Sequence, residues 1–221
     1  MAIALIADAA AGGTSSTPSE TAPIDTTGAN FIVLVAGRTD TGITPTDNYS
    51  NTALALTGYN GIFGGSIGAW YIKNATTGSG HIFYFNDNSS ALCVGAFSGV
   101  DPTSPFDVQD GISATNPPNG PSVTPSQNDS LIIAAAGIFE GFGGTAVPGS
   151  GVTSLNYVTG LGGTHWDCAL AYEIQTTATT RSPTWTDTGS PGANASTVIA
   201  FKPATSGGTT WPGYQSPFGW R

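Results

Sequence analysis

Charge is what this chain has least of. Only 9% of its 221 residues are Asp, Glu, Lys or Arg, against roughly a quarter in ordinary soluble domains. Lys and Arg together number five against fourteen Asp and Glu, giving a formal charge of −9, so no basic stripe exists to neutralise phosphates and nucleic acid is excluded as a partner. Cysteine is nearly absent as well. Cys93 and Cys168 are too few for a disulfide framework and lack CxxC spacing, and both sit in apolar runs, so buried free thiols are expected rather than a bridge. No run approaches the ~18 apolar residues of a membrane-spanning helix, and no membrane partner is expected. The first ten residues lack the basic start of a signal peptide, and Asp8 interrupts their apolar run, so they read as a first strand. Without a visible Sec signal, release by lysis inside an assembled particle is the expected route out of a cell.

Helical patterning is missing too. No segment carries a 3.6-residue apolar stripe opposite charges, and Glu and Lys are scarce. What is present is a succession of short runs rich in Val, Ile, Phe, Tyr and Trp, separated by Gly, Pro, Asn, Ser and Thr. Strands are expected at 2–8, 30–37, 51–57, 67–73, 80–86, 91–98, 130–139, 153–159, 165–175, 183–187 and 196–202. Phe31-Ile32-Val33-Leu34-Val35 and Leu131-Ile132-Ile133-Ala134-Ala135-Ala136 are apolar throughout, as central strands covered on both faces would be. The fold class that follows is all-β, a β-sandwich or jelly roll of about ten to twelve strands with a C-terminal extended tail. Residues 102–129, with prolines at 102, 105, 117, 118, 121 and 125, form the longest irregular segment. It reads as a crossover between sheets, with a linker between two half-domains as the alternative. Strand density is alike on both sides, so one domain is expected over 1–205, followed by a hinge and tail over 206–221.

The tail carries Trp211, Tyr214, Phe218 and Trp220 after a Ser206-Gly207-Gly208-Thr209-Thr210 hinge. Such a segment cannot build a core of its own. It reads as an anchor docked on a neighbouring subunit, the alternative being a latch across its own sandwich edge. Pro212 and Pro217 limit the entropy lost when it is fixed.

Catalytic motifs are weak. Gly64-Gly65-Ser66-Ile67-Gly68 matches the GxSxG elbow, but it sits between strand-like runs, with His81 and His165 as the sole histidines. Glu20, Glu140 and Glu173 are the only glutamates, and nothing in their spacing brings two carboxylates across a sugar, although Asp107 or Asp167 is available as a partner. No catalytic residue and no cofactor is assigned, and the chain is read as not an enzyme. Asp40, Asp47 and Asp87, with Asn48, Asn86 and Asn88, offer loop oxygens that Ca²⁺ accepts, without EF-hand spacing. His165-Trp166-Asp167 has no second His or Cys at zinc-ligand spacing. Tyr49, Tyr59, Tyr157 and Trp166 are candidates for stacking on a host-surface glycan.

Several segments carry a resemblance: Ile24-Asp25-Thr26-Thr27-Gly28-Ala29-Asn30-Phe31, Ala96-Phe97-Ser98-Gly99-Val100-Asp101 with Ser104-Pro105-Phe106-Asp107, Ala171-Tyr172-Glu173-Ile174-Gln175 and Val198-Ile199-Ala200-Phe201-Lys202-Pro203. Over roughly 1–204 the chain resembles the β-sandwich virion structural proteins of tailed phages and environmental viruses. The resemblance implies a decoration, head-fibre or tail-associated protein, located on the virion surface and partnered by capsid or appendage proteins as a homo-oligomer. A lectin-like receptor-binding module is the second expectation. Within Phe97-Ser98-Gly99-Val100-Asp101, Phe97 is expected to cap a buried strand, Gly99 to permit a tight turn and Asp101 to bond local backbone as the chain leaves the sheet.

Overall fold

A computed structural model describes residues 1–38, 42–60, 66–115, 119–140, 146–161, 165–187 and 194–205. No helix occurs among them. Sixteen strands follow in order: β1 Ala4–Gly12, β2 Pro18–Glu20, β3 Phe31–Arg38, β4 Thr46–Asp47, β5 Leu54–Ala55, β6 Tyr59–Asn60, β7 Ser66–Lys73, β8 Phe83–Asn88, β9 Ala91–Ser98, β10 Phe106–Thr115, β11 Ser130–Glu140, β12 Ala146–Pro148, β13 Thr153–Val158, β14 His165–Gln175, β15 Trp185–Asp187 and β16 Asn194–Phe201. The fold is all-β, as expected. The strand number exceeds ten to twelve because several two- and three-residue pieces are too short to show a period in sequence.

Four layers stack on one another. One central sheet runs β1-β9-β3-β7-β5, with β6 also on β7, and the other runs β10-β16-β11-β14-β13. Phe31, Val33, Val35, Ile67 and Phe97 from the first sheet meet Leu131, Ile133, Leu170, Ile199 and Phe201 from the second in one shared core. The alternate residues face outward and are covered again. Ile32, Leu34, Trp70 and Val94 pack under Phe83 and Phe85 of the β2-β8-β4 sheet. Ala134, Ala136 and Ala171 pack under Trp185 of the β12–β15 pair, while Ile132 and Val198 pack under Val123. Double coverage is why these strands read as unbroken apolar runs.

The two halves of the chain repeat one topology. In each central sheet the order is first strand, last strand, second long strand, its long antiparallel neighbour, then a short edge. Phe31 stands opposite Lys73 and Phe97, and Leu131 stands opposite Ile174 and Phe201. The ladders of the two first strands slip at matching places, between Leu5 and Ala7 and between Phe106 and Val108. Even the bridge Ile24–His81 has a counterpart in Val123–Arg181. The halves face each other about an approximate two-fold. A Cβ on Gly37 would lie 2.2 Å from the Asp167 carbonyl oxygen, and one on Gly137 would lie 2.5 Å from that of Ser66. Backbones therefore touch at two symmetry-matched points that only glycine permits.

The expectation of an irregular 102–129 is corrected here, because β10 occupies Phe106–Thr115. Its polar positions hid it. Asp107 accepts bonds from the Ser126 N–H and hydroxyl, and Asp110 accepts one from the Ser122 N–H, so the proline-rich return lies along an edge strand that needs carboxylates. The crossing between sheets is confined to the turn before it. There Phe97 is fully buried, Gly99 has φ +74°, and Asp101 Oδ1 accepts from the Thr103 and Ser104 N–H groups at 2.8 and 3.2 Å. Cys93 and Cys168 are free and buried.

Candidate functional site

Both histidines lie beside an aspartate. His81 lies two residues before β8, bridged to Ile24, and its Nδ1 lies 2.9 Å from the Thr26 hydroxyl. Its Nε2 is 3.2 Å from Asp47 Oδ2, off the line of a good hydrogen bond. Hydroxyl, imidazole and carboxylate in a row are the parts of a hydrolase triad. Here they are sealed. Thr26 and His81 are fully buried, Phe83 stacks on the imidazole at 4.2 Å and Tyr49 meets it edge-on at 4.6 Å, so no substrate reaches the hydroxyl. Burial alone would raise the Asp47 carboxyl; His81 and the backbone and side-chain N–H groups of Asn51 outweigh it and hold the carboxyl below its ordinary value. The knot ties three loops together over the first sheet.

The second pair lies at the other half. Asp167 is fully buried on β14 and accepts from the Tyr157 hydroxyl at 2.5 Å and the Gly160 N–H at 3.1 Å, with His165 Nε2 at 3.7 Å. Tyr157 in turn walls a groove of about 410 Å³ lined by Ala146, Val147, Pro148, Val152 and Ser154. Val152 is shared with a second groove that contains Glu173 and Arg181, joined by a forked ion pair with contacts of 2.7, 2.8 and 3.1 Å. Glu173 raises the Arg181 guanidinium above its ordinary value by accepting those bonds.

A smaller groove of about 210 Å³ marks the matching place in the first half, lined by Ala55, Leu56, Gly58 and Trp70 among others. Ala55 stands opposite Trp70 and Ser154 stands opposite Ala171. Trp70 and Gly58 line the smaller groove, whereas Tyr157 walls the larger one.

Of the stacking candidates, Tyr157 lines the groove of about 410 Å³. The Tyr49 hydroxyl donates to the Ser79 carbonyl at 2.7 Å. Tyr59 lies against Gly111, and burial with the nearby Asp110 raises its phenol above the ordinary value. Trp166 is 8% exposed and tilts on Phe139. The tail residues Trp211, Tyr214, Phe218 and Trp220 lie outside the described residues, as do Asp40, Gly64 and Gly65 of the calcium and GxSxG readings. Ser66 opens β7 as a buried strand residue, without the strand-to-helix corner a nucleophile elbow needs. Among the described residues, no three His, Cys, Asp or Glu side chains converge for a metal. Sequence reading missed the His81–Asp47 contact and the Tyr157–Asp167 bond; the latter joins neighbouring strands through a ladder register that composition does not reveal.

Comparison with models of known protein families, with curated proteins and with solved structures gives no match.

Proposed function

We propose that the chain is a non-enzymatic structural subunit of a virus particle, a capsid decoration protein or a fibre or appendage subunit, held to its neighbours by Trp211, Tyr214, Phe218 and Trp220. One observation carries this reading. Both central sheets are covered on both faces by described residues, and four large aromatics follow the last of them, within the eleven residues 211–221 of the sequence. Burying each such side chain contributes roughly 1.5–3 kcal/mol, and several together offset the freedom lost on association. The resemblance to virion proteins and the scarcity of charge support the same assignment. Deletion of 207–221 tests it: loss of lattice or oligomer binding at an unchanged monomer melting temperature supports the anchor. Unchanged assembly with a lowered melting temperature makes the segment a latch on its own body and refutes the proposal.

The second reading, a glycan-binding module, is favoured by Tyr157 in its groove beside the Glu173–Arg181 pair. An aromatic wall next to fixed polar groups is how sugar faces are held. Saturable binding on a glycan array, abolished by Tyr157→Ala, would support it; a blank array with intact assembly removes it.

A further inference from the structure

Cys93 on β9 and Cys168 on β14 meet across the shared core, both fully buried. Cys93 Sγ donates to the Cys168 carbonyl at 3.5 Å, and Cys168 Sγ donates to the Val35 carbonyl at 3.5 Å, Val35 being the residue opposite Cys93 in the ladder. Burial, together with the neighbouring Cys168, pushes the Cys93 thiol well up. The sheets are unusually close here, since the Gly37 backbone touches the carbonyl of Asp167, the neighbour of Cys168. A disulfide needs Cα atoms within about 7 Å of each other, and this close approach of the two backbones favours one. Packing does not require the pair. By register the matching positions about the two-fold are Ile67 and Thr197, so the same geometry is filled elsewhere without sulfur.

We propose that Cys93 and Cys168 form a redox pair that closes into a disulfide between the two central sheets when the protein meets hydrogen peroxide. On brief opening of the sheets one thiol sheds its proton, the thiolate attacks the peroxide, an S–O bond forms, the O–O bond breaks and hydroxide leaves. The second thiolate attacks the resulting sulfenic acid, the S–S bond forms, the S–O bond breaks and a second hydroxide leaves. The two thiol protons turn both hydroxides into water. The sulfurs together lose two electrons and the peroxide gains them. Because Cys93 belongs to the first half and Cys168 to the second, the bond staples the halves. Peroxide is small enough to enter on brief opening of the sheets, so burial sets the rate and not the outcome.

The full chain is incubated with hydrogen peroxide, in buffer and in urea below its unfolding transition, then unfolded and alkylated. The expected result is a loss of both alkylatable thiols, a Cys93–Cys168 cross-linked peptide on mapping, and full recovery of the thiols on reduction. Melting temperature should rise by roughly 5–15 °C, and the rise should be absent in a Cys93→Ala, Cys168→Ala chain treated alike, which controls for oxidation of the exposed Met1. Thiols that remain alkylatable in urea, or that appear as separate sulfinic acids without a cross-link, overturn the proposal. So does a cross-link that leaves the melting temperature unchanged.

Discussion

The two halves of this molecule share a topology and differ in how their outer faces are covered. Over the first sheet lies a three-stranded cover with Phe83 and Phe85, locked by the buried Thr26–His81–Asp47 knot. The second sheet has a two-stranded cover with Trp185, and its nearest ion pair, Glu173–Arg181, is partly in solvent. An identical arrangement of central strands thus tolerates two kinds of lid. Beside Trp70 the groove is about 210 Å³, and the groove lined by Val147, Pro148, Val152 and Tyr157 over the second half is about 410 Å³. The inner faces repeat while the outer faces have diverged.

Removing the partner of a carboxylate should separate the halves most sharply. His81→Ala leaves the Asp47 carboxylate buried and opens a cavity beneath Tyr49, so it should cost ~3–5 kcal/mol in urea unfolding. Arg181→Ala removes a guanidinium whose side chain is 39% exposed, and water screens what remains, so its cost should stay under ~1 kcal/mol. Equal costs would show that the two lids contribute alike.

The glycine contacts test the two-fold itself. Gly37→Ala and Gly137→Ala each drive a methyl group into a carbonyl of the opposite sheet, and neither obstacle is a movable side chain. Each should lose about 2–3 kcal/mol, with the two values within ~1 kcal/mol of each other. A large loss at one position and none at the other would break the comparison.

Much of this was legible in the sequence, for reasons that particular residues make clear. The unbroken runs at Phe31–Val35 and Leu131–Ala136 announced doubly covered strands, and the Gly99 turn with its Asp101 bond followed from local chemistry alone. The duplication was not read, although Ala91, Val94, Ala96 and Phe97 recur in step as Ala195, Val198, Ala200 and Phe201. Matching residues separated by dissimilar ones become a repeat only when ladders fix their register. Strand β10 was missed because its carboxylates serve a neighbouring loop. The candidate groove was missed except for Tyr157, since Val147, Pro148 and Val152 come together only when the lid folds over the sheet.

Acid should weaken the first half through Asp47. Asp47 titrates below its ordinary value of 3.8 in the folded protein, so the unfolded chain takes up its proton first as pH falls. Its stabilisation is therefore complete above about pH 5 and is lost as pH drops through the folded value. In Asp47→Asn that part of the decline should vanish, giving a flatter profile of unfolding midpoint against pH between about 5 and 2. An unchanged acid limb would place the sensitive carboxylate elsewhere.

The smallest expected effect lies at the sheet edges, where the two-fold predicts paired behaviour. On one side the Gln109 side-chain amide imitates a strand, accepting from the Thr57 N–H at 3.0 Å and donating to its carbonyl at 2.8 Å. On the other side the Asn156 amide donates to the Asp8 carboxylate at 2.8 Å, at the matching register position. Each contact is exposed, so Gln109→Ala and Asn156→Ala should each cost only ~1 kcal/mol. Their importance is in solution behaviour. The edges of β5 and β1 present backbone groups that another chain can pair with, and these amides occupy the approach. Light scattering of the double variant at rising concentration should therefore show association that neither single variant shows, because one occupied edge still prevents growth into a chain of sandwiches. If a single substitution suffices, the edges are not equivalent, and the symmetry that unites the inner faces ends before it reaches the rim.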